Sequence, residues 1–445
     1  MTSYKAHLKE TIKLATPVAI GQLGHIMLGV TDSIMVGQVG AVPLAASSLV
    51  NGIVFLIVVF GLGMTLAITP LVSIARGKNE KVQCGVILRQ SLLVNGAITI
   101  LLLGILIFIA DMIVYMNQEE AVAVQARSYA KIIAFSIIPF IIFQVYRQFI
   151  EGLAFTKPAM YITLMANLVN VFGNWVFIYG NLGMPAYGLD GAGYATLITR
   201  SFMAATLVFH VLKAKRYTDY EPSFRYRNIN WPVIKELIRI GVPTGFQNFF
   251  EVGAFSFSAI MIGWLGSTQL AAHQIALSLA SVSFMIILGI SAAGTIRVGH
   301  AYGRKNINDV RQSGFLTTLF ASSVMACFGI IFVVFRNKLP FIFTEDLAVI
   351  DIAAALIIVA ALFQISDGAQ AAGLGILRGI TDVRLPMIFT FIAYWVIALP
   401  IGYFLGFTLK MEVVGIWIGL SAGLTAAAIM LNWRFGIKTK NMRFD

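Results

Sequence analysis

Three acids sit where an apolar chain has least use for them: Asp32, Glu251 and Asp367. Most of the 20 Asp and Glu fall in connections or at the ends of apolar runs, whereas these three fall inside such runs. Glu251 is the only ionisable residue in GVPTGFQNFFEVGAFSFSAIMIGWLG, residues 241–266, and lies near its middle. A carboxylate at that depth in a bilayer costs about 2.5–3.5 kcal/mol on insertion scales, which points to a functional group. The structural alternative is a buried Glu satisfied by Gln247 and Asn248 in the preceding turn. Removing a carboxylate from water disfavours its charge, and a second acid nearby disfavours it further. Such a group takes up a proton or a small hard cation, and oxygen ligands suit both. It also attracts organic cations across a low-dielectric cavity. Flat aromatic cations gain further from ring faces, and Phe246, Phe249, Phe250, Phe255 and Phe257 crowd around Glu251. For any one of these rings, packing or lipid contact is explanation enough. Phe250 and Phe255, with Gln247 and Asn248, are the candidates for lining a cavity.

The elements that must position these acids are membrane helices. Of 445 residues, 58% are apolar and 12% charged, with a mean hydropathy of +0.85. A soluble domain carries about 25% charged residues. An all-α polytopic membrane protein is expected. Twelve apolar segments long enough to span can be counted, at roughly 14–36, 46–75, 86–110, 129–150, 159–180, 190–212, 238–262, 270–296, 313–335, 348–376, 386–408 and 413–433. Cys84 and Cys327 follow no metal spacing and read as core residues. The five histidines are scattered. Pro139 and Pro400 interrupt the fourth and eleventh segments and free backbone carbonyls at depth.

Charge sets the orientation. With the N-terminus in the cytoplasm, the inward-facing segments hold 25 basic residues and the outward-facing ones five. The outward connections also hold Glu119–Glu120 and Glu345–Asp346. Both termini are therefore expected in the cytoplasm, in a multi-pass protein of the inner (plasma) membrane. The net charge of +12 is explained by this bias, and no nucleic-acid partner is needed. The start, with Lys5, Lys9, Glu10 and Lys13 and no small-residue cleavage site, reads as an uncleaved first span. The longest connection, Lys213 to Arg239, holds seven basic residues and an interfacial-looking stretch beginning at Trp231.

The two halves repeat. A shift of 226 aligns 14–79 with 240–305 without a gap, with 15 identities in 66 positions. Pro17 meets Pro243, Gly37 meets Gly263, and Leu44-Ala45-Ala46 meets Leu270-Ala271-Ala272. Later, Glu151-Gly152 and Arg378-Gly379 each precede a proline that opens a span. An even number of spans per half gives pseudo-twofold-related six-helix lobes with an axis along the membrane normal, a transporter architecture. The lobes are expected at 1–212 and 238–445, with a cytoplasmic linker at 213–237. The acids break the symmetry: Asp32 aligns with Ser258 and Glu251 with His25. Asp367 lies in FQISDGAQAAGLGILRG, where small residues permit close helix packing.

At these residues the chain resembles the multidrug and toxic compound extrusion (MATE) transporters, particularly the NorM-like branch. The resemblance covers nearly the whole chain and rests on TDSIMVGQVG with LAASSL (31–49), EGLAFTKPAM (151–160), NWVFIYG (174–180), LAAHQIAL (270–277), AYGRKN (301–306) and SDGAQAAGLGILRGITDVRLP. It implies a V-shaped pair of six-helix lobes and cation-coupled export of amphipathic, often cationic compounds. It further implies coupling-cation binding, Na⁺ or H⁺, at Glu251 and Asp367, and substrate or proton handling at Asp32. Asn174 stands at a position where some prokaryotic branches carry an acid. That departure favours a cation site in the C-terminal lobe over a proton mechanism confined to the N-terminal one. No cofactor beyond the coupling ion is expected, the partners are small organic cations and membrane lipids, and a monomer is expected.

Two other classes fit the sequence less well. A flippase for a lipid-linked saccharide or lipid would carry basic residues within its lobes to meet a pyrophosphate; only Arg147 and Arg200 lie inside spans, against three acids. An intramembrane enzyme would need a metal spacing, a nucleophile set or a phosphate loop, and the sequence offers none of them. Na⁺ is favoured slightly over H⁺ as the coupling ion.

Overall fold

The computed structural model describes residues 4–116, 118–223 and 229–443. Among the described residues the chain is helical, with no strand. The helices are α1 (Tyr4–Gly37), α2 (Ala41–Thr65), α3 (Ile68–Gly77), α4 (Lys81–Met112), α5 (Glu120–Gly152), α6 (Lys157–Phe177), α7 (Leu189–Lys213), α8 (Trp231–Gly263), α9 (Ser267–Gly303), α10 (Ile307–Phe335), α11 (Leu347–Gly379), α12 (Arg384–Phe391), α13 (Leu399–Tyr403) and α14 (Glu412–Lys440). Eleven spans among the described residues are long and apolar enough to cross a membrane. The twelfth expected span corresponds to α8, which is 33 residues long. It falls short on apolarity because Gln247, Asn248 and Glu251 interrupt its hydrophobic run.

The chain forms two compact units. One comprises Ile20–Gly245, the other Met1–Ala19 with Phe246–Asp445. The boundaries fall inside α1 and α8 rather than in the connection at 213–237. In the first unit, Gly63 of α2 lies so close to Gly245 of α8 that an added Cβ would come within 2.5 Å of its Cα. In the second, Gly289 of α9 sits on Ala15 and Ala19 of α1, where a Cβ would come 2.7 Å from the Ala15 carbonyl oxygen. Gly63 and Gly289 are repeat mates at the shift of 226, and so are Ala19 and Gly245.

Each unit is built around a central helix, α5 in the first and α11 in the second, against which its neighbours pack. The same backbone contacts recur in both. Thr69 Oγ1 donates to the Gln148 carbonyl (3.1 Å) and Thr295 Oγ1 to the Gly375 carbonyl (2.8 Å). A Cβ on Gly152 would meet the Thr69 oxygen at 3.0 Å and Val72 Cβ at 2.8 Å; on Gly379 it would meet the Thr295 oxygen and Val298 Cβ at 2.9 Å each. Small residues thus let backbones approach where apolar lipid provides no driving force between helices.

Several expectations change in detail. Arg297 and Arg378, placed in connections from sequence, lie inside α9 and α11, because both helices run several residues past their apolar stretches. Cys327 is exposed, not core. On α10 the buried positions are Val310, Ser313, Gly314, Thr317, Ala321, Met325, Gly329 and Phe332; the helical period puts residue 327 on the opposite face. Pro139 lies within an α5 that remains helical from Glu120 to Gly152. Pro400 follows a π-helical stretch, Ile392–Ala398, and a second, Phe404–Thr408, comes after it. The span is rewound there rather than broken. Of the basic residues in the long connection, Arg225 and Arg227 lie outside the described residues.

Candidate functional site

Each unit contains one acid-centred polar cluster. In the Ile20–Gly245 unit, Asp32 on α1 faces α6 and α7. Its Oδ1 accepts from Asn174 Nδ2 at 2.7 Å and Asn170 Nδ2 at 3.0 Å, and its Oδ2 accepts from Thr196 Oγ1 at 3.0 Å. Asn170 and Asn174 are four residues apart on α6, so one helix face delivers both amides. Both are buried, and the Asn174 Oδ1 has no hydrogen-bond partner among the described residues. The nearest cation on the same helix as Thr196 is Arg200, one turn on. It is engaged elsewhere, donating to Ser136 Oγ at 2.7 Å with its guanidinium 4.8 Å from the Phe140 ring centroid. His25 stacks on the same ring at 5.3 Å. Asp32 is thus a half-buried carboxylate held by three neutral donors.

The other cluster lies in the unit that contains Phe246–Asp445. Glu251 on α8 accepts from Tyr394 OH at 3.2 Å and, more weakly, from Gln370 Nε2 at 3.5 Å. Gln370 stands one turn beyond Asp367 on α11, and both are buried. No hydrogen bond to the Asp367 carboxylate is formed among the described residues. It does interact electrostatically with Glu251, so the two acids share one neighbourhood. Arg378, further along α11, also acts on Glu251 through its charge without bonding to it. The alternative raised for Glu251 does not hold: Gln247 is buried and Asn248 half-buried, yet the donors to Glu251 are Tyr394 and Gln370.

The π-helical stretch explains how Tyr394 arrives. Tyr394 and its neighbour Trp395 both reach α8, the second donating from Nε1 to the Phe250 carbonyl at 3.0 Å. In an α-helix, consecutive side chains are turned about 100° apart. The wider i→i+5 winding reduces that angle and brings two adjacent aromatics toward one partner helix. Phe250 packs on Phe391 with centroids 5.1 Å apart, and Phe255 lies 6.1 Å from Tyr394. Both rings therefore border the cluster.

Sequence reasoning missed Tyr394, Gln370, Asn170 and Thr196. Two carried a local signal: Asn170 precedes Asn174 by four residues and Gln370 follows Asp367 by three, each on the same helix face. Tyr394 and Thr196 carried none. Among the described residues no three His, Cys, Asp or Glu converge as metal ligands.

A helical membrane chain with an internal duplication, and with a carboxylate inside the spans met by neutral donors in each copy, defines a secondary transporter. Comparison with known proteins makes this specific. The MatE family profile matches residues 17–176 and 243–404, the two copies of the repeat. A Mesorhizobium japonicum protein named "Probable multidrug resistance protein NorM" is 36% identical over 439 residues, covering 97% of this chain and 94% of its own. The Vibrio cholerae "Multidrug resistance protein NorM" is 34% identical over 442 residues, covering 98% and 96%. Among solved structures, the eukaryotic MATE transporter AtDTX14 matches with a TM-score of 0.88 at 19% identity, over 98% of both chains. A MATE family transporter in an outward-facing conformation matches at 0.89 and 20% identity, over 99% of this chain and 97% of its own. The chain belongs to the MatE family and is a multidrug efflux transporter.

Proposed function

We propose that the protein is an antiporter that couples inward movement of Na⁺ or H⁺ to export of amphipathic, mostly cationic compounds. The observation that carries this is the pairing of Glu251 with Asp367 beside donors that are all neutral. Two carboxylates in one low-dielectric neighbourhood repel, and a bound cation or proton relieves the repulsion. Cation binding then favours one packing of the surrounding helices and drug binding the other, the differential that exchange requires. One charge crossing about 100 mV yields about 2.3 kcal/mol, enough for roughly fifty-fold accumulation of a neutral species. Asp32 acts separately, on substrate or proton. The protein works as a monomer in the inner membrane with both termini in the cytoplasm.

The flippase reading gains nothing from Arg147 and Arg200. Arg147 is paired with Glu151 at 2.7 Å, and Arg200 is held by Ser136 and Phe140. The deciding experiment is uptake of a cationic dye by proteoliposomes under Na⁺ and H⁺ gradients imposed one at a time. Transport driven by one gradient and lost in Glu251→Gln supports the proposal; equal transport with no gradient of either ion would refute it.

A further inference from the structure

The two units differ in one enclosed charge. In the first, Arg147 and Glu151 of α5 form an ion pair at 2.7 Å, their side chains 5% and 3% exposed. Arg147 also donates from Nη1 to Gln22 Oε1 of α1 at 3.3 Å. The bond of Thr69 to Gln148 and that of Thr295 to Gly375 fix the register between α5 and α11. In that register Arg378 stands where Glu151 does, and Leu374 where Arg147 does. The second copy thus carries a base in place of the acid, and an apolar side chain in place of its partner.

Arg378 is half-buried and its Nε is enclosed, yet no hydrogen bond or ion pair to it is formed among the described residues. The acid nearest in sequence, Asp382, is already paired with Arg434 at 2.8 Å. Withdrawing a guanidinium from water without an anion is costly, and an ionisable group inside a span is by default a functional one. Among the described residues, the carboxylate that acts on Arg378 through its charge is Glu251. The helix brings the two toward each other. Gln370, Leu374 and Arg378 follow at steps of four along one face of α11, the face that donates to Glu251. A long side chain on a helix lies over the turn N-terminal to its own Cα, so the Arg378 head is carried toward Gln370 and Glu251.

We propose that Arg378 is a tethered counter-cation for Glu251, taking the place of the coupling ion when that ion leaves toward the cytoplasm. This rests on the coupling site proposed above. Two ion-free carboxylates repel each other, and a guanidinium from the same helix offsets that repulsion without leaving the protein. Ion and guanidinium then compete for one carboxylate. Arg378 therefore weakens equilibrium ion binding and speeds release, whereas Tyr394 and Gln370 remain neutral donors throughout. In the orientation proposed above, α11 runs inward, which puts Arg378 on the cytoplasmic side of the acid pair.

Equilibrium ion binding to the purified full-length protein tests this, read with radioactive Na⁺ and, for H⁺, with the infrared band of a protonated carboxyl group. Arg378→Gln is expected to bind the coupling ion about tenfold more tightly, the scale of one charge acting at an effective dielectric of about 20. Its maximal rate of dye uptake should fall at the same time. Arg378→Met, which keeps the apolar stem, should behave alike, and Arg378→Lys, which keeps the charge, should bind the ion as the native chain does. Unchanged or weaker ion binding in either neutral variant, with drug binding intact, would overturn the role of Arg378 and leave the coupling site standing. Full ion binding by Glu251→Gln would remove the coupling site itself, and this role with it. Phe444 and Asp445 lie outside the described residues, and deleting them should leave ion binding as it is. Binding weakened by that deletion would make the terminal acid the partner of Arg378 and overturn the proposal.

Discussion

Glu251 and Asp367 are paired by charge but solvated unequally. Tyr394 and Gln370 both donate to Glu251, and no donor among the described residues reaches Asp367. Glu251→Gln and Asp367→Asn are each expected to abolish gradient-driven efflux while leaving drug binding measurable by fluorescence titration. The double variant should be scarcely worse than either single one, since groups that act as a unit are not additive. Full coupled transport in both single variants would remove the proposed cation site. Tyr394→Phe deletes one hydrogen bond to a charged acceptor, worth about 1.5–3 kcal/mol. Because that bond favours the ion-free carboxylate, its loss should lower the proton concentration needed for half-maximal H⁺-driven transport by about tenfold. Asp32→Asn should lower export of several cationic drugs while the protein still inserts, as membrane fractionation would show. Unchanged resistance would make Asp32 a structural acid that merely ties α1 to α6 and α7.

At the scale of helices, stability rests on small residues that let backbones touch. A Cβ at Gly152 or Gly379 would press on backbone and on a β-branched neighbour at 3.0 Å or less. Overpacking of this kind costs about 1–3 kcal/mol. Gly152→Ala and Gly379→Ala should therefore each lower the detergent-solubilised melting temperature by several degrees. Gly96 on α4 meets nothing within 4 Å, so Gly96→Ala should leave the melt unchanged or raise it, Ala being the better helix former by about 1 kcal/mol. A melt lowered equally by all three substitutions would show that these close approaches do not set stability. The π-helical stretch around Tyr394 is the element on which the second cluster depends, because it turns two neighbouring aromatics toward α8.

For the whole molecule, the orientation inferred from basic residues can be checked directly. Asp219 and Glu345 are both exposed in the folded chain, and Cys327 must first be replaced because it too is exposed. In a Cys327→Ser background, Glu345→Cys should react with an impermeant maleimide added to intact cells, and Asp219→Cys should react only after permeabilisation. Labelling of Asp219→Cys in intact cells would invert the proposed topology. The duplication has kept its packing and changed its chemistry. Thr69 and Thr295 make equivalent bonds, whereas Asp32 has become Ser258 in the second copy and Glu251 replaces His25 of the first.

Class, duplication and the location of three acids inside the spans were legible in the sequence, because each is a local or periodic property. Apolar runs are set by bilayer thickness, the repeat by matched Pro and Gly, and the acids by their isolation. The number of spans was legible only in part, since the stretch around Glu251 is polar enough to fall below the apolarity of its fellows. Partners were not legible. Tyr394 lies 143 positions from Glu251 and Thr196 lies 164 from Asp32, and which donors meet an acid depends on how distant helices face one another. The compact units, too, were decided in three dimensions. Their boundaries fall within α1 and α8, where Gly289 on Ala19 and Gly63 on Gly245 set the packing. A continuous helix shows no break in its own sequence where its packing partners change.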